Sequence, residues 1–194
     1  MQCQSGSGEI MTSLKEKYNK EIIKKLKEEF EHSSDFQVPK ITSISINVGV
    51  GKIKESKEDC ALVAKDISLI TGQLPRFNKA RMSVSGFKLR EGQIVGYSLT
   101  LRNKKMYDFI ERFVNVSLPR IRDFRGLLND SFDQKGNYSI GIKEHTIFPE
   151  IKYDNVKQPF SMQVNFSITA KNKKEAKRLL EHLGFPFEKK KDKE

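Results

Sequence analysis

Asn47-Val48-Gly49-Val50-Gly51-Lys52 is the stretch whose glycines and lysine invite a phosphate-loop reading. Such a loop needs four residues between its glycines, so that main-chain N–H groups can ring a phosphate, and a Ser or Thr after the lysine. Here a single residue separates the glycines and Ile53 follows the lysine, so a strand-ending turn is the better reading. His32, His145 and His182 are scattered, and Cys3 and Cys60 complete no four-ligand metal set. Acidic neighbours such as Glu58 and Asp59 fall at a helix start, where they complement the dipole. No serine elbow or Cys–His signature appears. The sequence thus offers no catalytic residues, no metal site and no cofactor site, and the expectation is a protein that is not an enzyme.

The remaining chemistry is cationic. The chain has 194 residues, 36 Lys+Arg against 25 Asp+Glu, and a net charge of +11. Residues 76–105 carry Arg76, Lys79, Arg81, Lys88, Arg90, Arg102, Lys104 and Lys105 against Glu91 alone, which is +7 of the excess. Residues 161–194 carry the other +4, and the rest of the chain is balanced. Like charge concentrated in one stretch repels itself, so an anionic partner is its natural explanation. A membrane surface is anionic too, but residues 78–92 lack the apolar helical stripe that would enter one. Nucleic acid is the better partner. The alternative is a basic module whose main partner is an acidic protein.

Length suits one domain with short appendages. Hydrophobic residues make up 37 %, enough for a core but lean for a deep apolar pocket. No run of about 18 apolar residues is present, and the first ten residues lack the basic-then-apolar order of a secretory signal. A cytoplasmic, reduced protein is the default expectation.

The elements that must position the cations follow from periodicity. Residues 1–11 are polar and are expected to be a disordered extension. Ser13 with Glu16 makes a capping box, and Leu14, Tyr18, Ile22, Leu26 and Phe30 place one apolar stripe on the helix that follows. A second helix, capped by Ser56, buries Val63, Ile67 and Ile70 and ends at Thr71-Gly72. A third, from about Lys104, buries Met106, Phe109, Ile110, Phe113 and Val114 and stops before Pro119. The last has Asn172 as cap, Glu175 at the third position, and Ala176, Leu179, Leu180 and Leu183 inward. The basic stretch between the second helix and the next strand, with its glycines, reads as a long loop. A lysine-rich tail, 188–194, closes the chain.

Three strands alternate cleanly. Ile44, Ile46, Val48 and Val50 oppose Ser43, Ser45, Asn47 and Gly49; Val95, Tyr97, Leu99 and Leu101 oppose Gly96, Ser98, Thr100 and Arg102. Met162, Val164, Phe166 and Ile168 oppose Gln163, Asn165, Ser167 and Thr169, and shorter strands are expected around Tyr138–Ile142. The fold class is therefore a two-layer α+β domain, an antiparallel or mixed sheet with helices on one face and the other open. The open face offers short uncharged polar groups, which let another backbone approach and hydrogen-bond, as Ser, Thr, Asn and Gln do with phosphate and sugar. It lacks the paired aromatics that stack bases in RRM sheets.

At Ser117-Leu118-Pro119-Arg120-Ile121-Arg122-Asp123-Phe124-Arg125-Gly126-Leu127 the chain closely resembles the ribosomal protein L5 family, which holds 5S ribosomal RNA in the large subunit. Ile46–Gly51, Thr71-Gly72-Gln73-Leu74-Pro75, Gly86–Gly92, Gly136-Asn137-Tyr138, Ile147–Ile151 and Phe185-Pro186-Phe187 agree in order. The resemblance runs from about Leu14 to Phe187 as one domain, 12–187.

It implies a non-enzymatic component of the central protuberance on the cytoplasmic or an organellar ribosome. The implied partners are 5S rRNA, large-subunit rRNA, peptidyl-site tRNA, a small-subunit head protein and neighbouring large-subunit proteins. The family's RNA-bonding Asn, Gln and Thr match Asn47, Gln73 and Thr100. Arg76, Arg102, Arg120, Arg122 and Arg125 are further rRNA candidates, with internal pairing to Asp123 open for the last three. The family's mobile tRNA-contacting loop matches about residues 78–92, with Lys79, Arg81, Ser83, Lys88 and Arg90 as candidate contacts. Met82 stands where a basic residue is usual, and His145 where Gln is usual.

Overall fold

The computed structural model describes residues 14–51, 57–151 and 158–188. Five strands, β1 (Lys40–Gly49), β2 (Arg76–Lys79), β3 (Ile94–Leu101), β4 (Tyr138–Ile142) and β5 (Met162–Thr169), form one antiparallel sheet. Their spatial order is β2-β3-β1-β5-β4, so β1 is central. Side chains alternate along each strand, and the register makes the apolar sets coincide. Ile46 lies opposite Leu99 on one side and Val164 on the other, and Ile140 continues the row beyond Val164.

Four helices cover that apolar face. The first, α1, begins as Leu14–Lys17, passes through a π-helical turn at Tyr18–Ile22 and continues as Ile23–Glu29. Its stripe repeats every fourth residue, which in a regular α-helix overshoots a full turn by about 40° each time. The wider π turn absorbs part of that drift and keeps Tyr18, Ile22 and Leu26 buried together. Helix α2 spans Lys57–Thr71, with Cys60, Val63, Ile67 and Ile70 buried. Helix α3 spans Asn103–Arg112, and α4 spans Lys173–His182. Phe113 sits at the centre of the core, in ring contact with Phe109, Phe148, Phe166 and Phe185.

Several expectations change. Helix α3 does not stop before Pro119: a π turn at Phe113–Ser117 and a 3₁₀ turn at Leu118–Arg120 carry it past the proline. Pro119 lies at the start of the 3₁₀ turn, where a missing N–H costs little. Asn172 holds the cap position of α4, but its side chain makes no capping hydrogen bond. Glu175 instead reaches one residue further back, with Lys171 N, just before the cap, donating to its Oε2 at 3.1 Å. The caps assigned to Ser13 and Ser56, the N-terminal extension and most of the tail lie outside the described residues.

The basic stretch is not an unstructured loop. Arg76–Lys79 is the edge strand β2, paired with β3. Beyond it the two chains stay together as a hairpin, with Ala80 N donating to Gln93 O at 2.8 Å and Val84 and Leu89 exchanging bonds of 3.0 and 3.1 Å. Short sequence and scarce apolar residues hid this strand; cross-strand pairing supplies what periodicity did not.

Candidate nucleic-acid interface

Among the described residues, no helix covers the second face of the sheet, whose side chains are half-buried or exposed. Ser43, Ser45, Ser98, Thr100, Asn165 and Ser167 are half-buried, while Asn47, Gln163, Thr169 and Ser139 are exposed. Period-two alternation places these residues here, and register arranges them in rows across the strands. One row runs Arg76–Ser98–Asn47–Gln163–Gly141 through all five strands. The next runs Thr100–Ser45–Asn165–Ser139. Arg76 at the β2 edge is the one charged residue in either row.

Small groups keep this surface low. Gly96 has no room for a side chain, because a Cβ there would lie 2.6 Å from the Val48 carbonyl oxygen. Ser98 Oγ donates to Asn78 Oδ1 at 3.2 Å, and Thr42 and Thr169 share a hydroxyl bond of 3.0 Å. Asn165 Oδ1 has no hydrogen-bond partner among the described residues. At the β4–β5 end the face dips into a depression of about 570 Å³ lined by Asn47, Ser139, Gly141, Lys143 and Gln163.

Asn47, Gln73 and Thr100 do come together. Asn47 lies opposite Ser98, two residues along β3 from Thr100. Gln73, on the turn after α2, donates from Nε2 to the Thr100 carbonyl at 3.5 Å. Gly72 makes that turn with φ of +66°, a conformation natural to glycine. Arg102 continues the same side of β3 into the start of α3 and is exposed.

Lys79, Arg81, Lys88 and Arg90 are exposed on the hairpin. Ser83 has a structural task there: its Oγ accepts from Glu91 N at 3.0 Å and braces the hairpin. Arg120, Arg122 and Arg125 are exposed and belong to neither row. Among the described residues they make no ion pair, with Asp123 or otherwise. Their segment is tied down by a parallel bridge between Leu127 and Phe187, beside the aromatic cluster of Phe132, Tyr138 and Phe187.

The sequence reading left β4 and the depression out of the site. Ser139 and Gly141 were legible as the outward positions of a short alternating strand, but their place beside Gln163 depends on pairing between β4 and β5.

Titratable groups with displaced pKa values lie away from this face. Burial pushes the Tyr97 and Tyr138 phenols up to about 12, and Cys60 adds to the effect at Tyr97. Burial lowers His145 and raises Asp66, so neutrality is favoured at both ends of their 3.8 Å approach. No cluster of three or more His, Cys, Asp or Glu side chains that could hold a metal ion accompanies them among the described residues.

Family models describe most of the chain. Residues 34–90 match ribosomal protein L5, and residues 94–187 match the C-terminus of the same ribosomal protein family. The large ribosomal subunit protein uL5 of Ruminiclostridium cellulolyticum is 49% identical over 177 residues, 91% of this chain and 98% of that protein. The same protein of Clostridium tetani is 48% identical over 92% of this chain and 99% of its own length. That of Prosthecochloris aestuarii is 47% identical over 93% and 92%. A sheet built to bind and these matches agree: the chain belongs to the ribosomal protein L5 family, structural and non-enzymatic proteins of the large ribosomal subunit.

Proposed function

We propose that the open sheet face docks 5S rRNA through phosphate and sugar contacts, with Asn47, Gln73 and Thr100 at its centre. Arg76 and Arg102 bracket it at two margins, while Arg120, Arg122 and Arg125 supply a separate contact to large-subunit rRNA. The hairpin carrying Lys79, Arg81, Lys88 and Arg90 reaches peptidyl-site tRNA, and the protein bridges to the small-subunit head. The protein works as a cytoplasmic ribosomal component.

The observation that carries the reading is the pair of polar rows spanning the uncovered face, uncharged but for Arg76, with cations massed at its β2 edge. Short polar groups let a ribose–phosphate strand lie flush on the sheet, and the cations hold it by displacing counterions. Neutralising about six phosphates costs roughly a thousandfold in affinity between 50 and 200 mM salt. Filter binding of 5S rRNA across that range is the test. A flat salt response would overturn the reading, as would full affinity in both Asn47→Ala and Thr100→Ala.

A further inference from the structure

We infer that the hairpin tip grips its RNA through exposed apolar side chains as well as cations, so that its partner must offer unstacked bases or open ribose faces. The inference rests on the proposed reading of this hairpin as a tRNA contact and specifies what part of an RNA it can hold.

Met82, Val84 and Phe87 stand out among residues 80–93, with exposures of 73%, 39% and 72%. The hairpin's own main-chain ladder fixes the positions of these side chains. Val84 pairs with Leu89, Ser85–Phe87 forms a 3₁₀ turn, and Lys88 N donates back to Ser85 O at 3.0 Å. Lys88 closes the turn at φ +51°, a strained left-handed conformation for a lysine. That residue is a cation directly following an exposed ring, Phe87.

Cations alone would suffice for a duplex backbone, which presents phosphates and buries its bases. Large apolar groups held in water at the same tip gain only from a surface that is itself flat and poorly hydrated. Nucleobases offer such faces wherever they leave the stack, and an aromatic side chain takes any of them. Arg81 and Arg90 flank the apolar residues and Lys88 follows Phe87, and the tip is a hairpin turn with no helical apolar stripe for a lipid surface. Their charge matches the phosphates that flank an unstacked base.

The two components differ in their response to salt. Phosphate contacts weaken as counterions compete, whereas packing against a base does not release ions. Ribosomes depleted of this protein are rebuilt with full-length wild type, with Met82→Ser/Phe87→Ser, or with Arg81→Ala/Lys88→Ala/Arg90→Ala. Peptidyl-site tRNA affinity is then measured between about 50 and 200 mM salt. The apolar variant is expected to lose about five- to a hundredfold at every salt concentration, the range that stacking one base on an aromatic ring spans, with its salt slope unchanged. The charge variant is expected to flatten the slope.

If only the charge variant weakens, the contact is purely ionic: the inference falls and the reading of the hairpin stands. If neither variant weakens, that reading falls and takes the inference with it. Co-sedimentation of the full-length protein with phosphatidylserine vesicles, lost in Phe87→Ser, would overturn the choice of RNA over lipid.

Discussion

Gln73 and Thr100 are 27 positions apart, yet the Gln73 amide donates to the Thr100 carbonyl and ties the end of α2 to the margin of the open face. The turn between them is braced from below, since Thr71 Oγ1 donates to the Ile67 carbonyl at 2.7 Å and accepts from Gln73 N at 3.3 Å. Gln73 is therefore a bridge within the protein as well as a candidate RNA contact.

Replacing Gln73 by Ala separates those roles. One partly exposed hydrogen bond is worth about 1 kcal/mol or less, so urea unfolding of Gln73→Ala is expected to stay close to wild type. Its 5S rRNA affinity is expected to fall severalfold in filter binding. A large stability loss with unchanged affinity would make the residue purely structural.

At Gly96 the backbone of β3 lies close against that of β1. A methyl group 2.6 Å from the Val48 carbonyl oxygen forces the two strands apart or twists one of them. Gly96→Ala is expected to destabilise the fold by about 1–3 kcal/mol, the usual range for overpacking, seen as an earlier urea midpoint. Because the displaced strands carry Asn47 and Thr100, RNA affinity should fall in the same variant.

Gly126 does the same for the C-terminal segment. Its φ is +112°, and a Cβ there would lie 2.7 Å from Glu188 N. That amide donates to the Leu127 carbonyl at 3.0 Å, while Leu127 N donates to the Pro186 carbonyl at 2.8 Å. Gly126→Ala is expected to break both bonds and let the end of the chain detach. Amide hydrogen exchange should accelerate at Leu127 and Glu188 while the strands of the sheet keep their protection.

His145 is buried and stacked on Phe160, with centroids 3.8 Å apart. Its Nδ1 accepts from Phe160 N at 3.3 Å, which leaves the proton on Nε2, facing Asp66. Burial holds its pKa below the ordinary 6.5, so the unfolded chain takes up the proton first as pH falls. The stabilisation is complete above about pH 6.5 and is lost as pH drops toward the folded-state value. The Phe160 hydrogen bond and the Glu144 charge offset part of this. Urea midpoints measured from pH 7.5 to about pH 5 should fall in the wild type and fall less in His145→Gln.

The strands with long, strict alternation could be read directly, because burial of one face dictates it: β1, β3 and β5 lie where their apolar residues put them. Edge strand β2 was hidden. Its four residues, Arg-Phe-Asn-Lys, bury little, and only pairing with β3 makes them extended. The polar residues of the face were visible singly, as outward positions. Their union into rows depends on register between strands more than a hundred residues apart, which no local pattern encodes. Ser83 shows the converse: its type suited a phosphate contact, and its hydroxyl is engaged within the hairpin.

The central strand draws its neighbours from far downstream: Thr42 bonds Thr169, 127 positions later. During synthesis β1 emerges early and waits with one side unpaired until the chain beyond β5 has left the exit tunnel. Closing so long a loop is slow relative to local folding. The platform is therefore complete only once β5 has emerged to pair with β1, after every other strand of the sheet has been made.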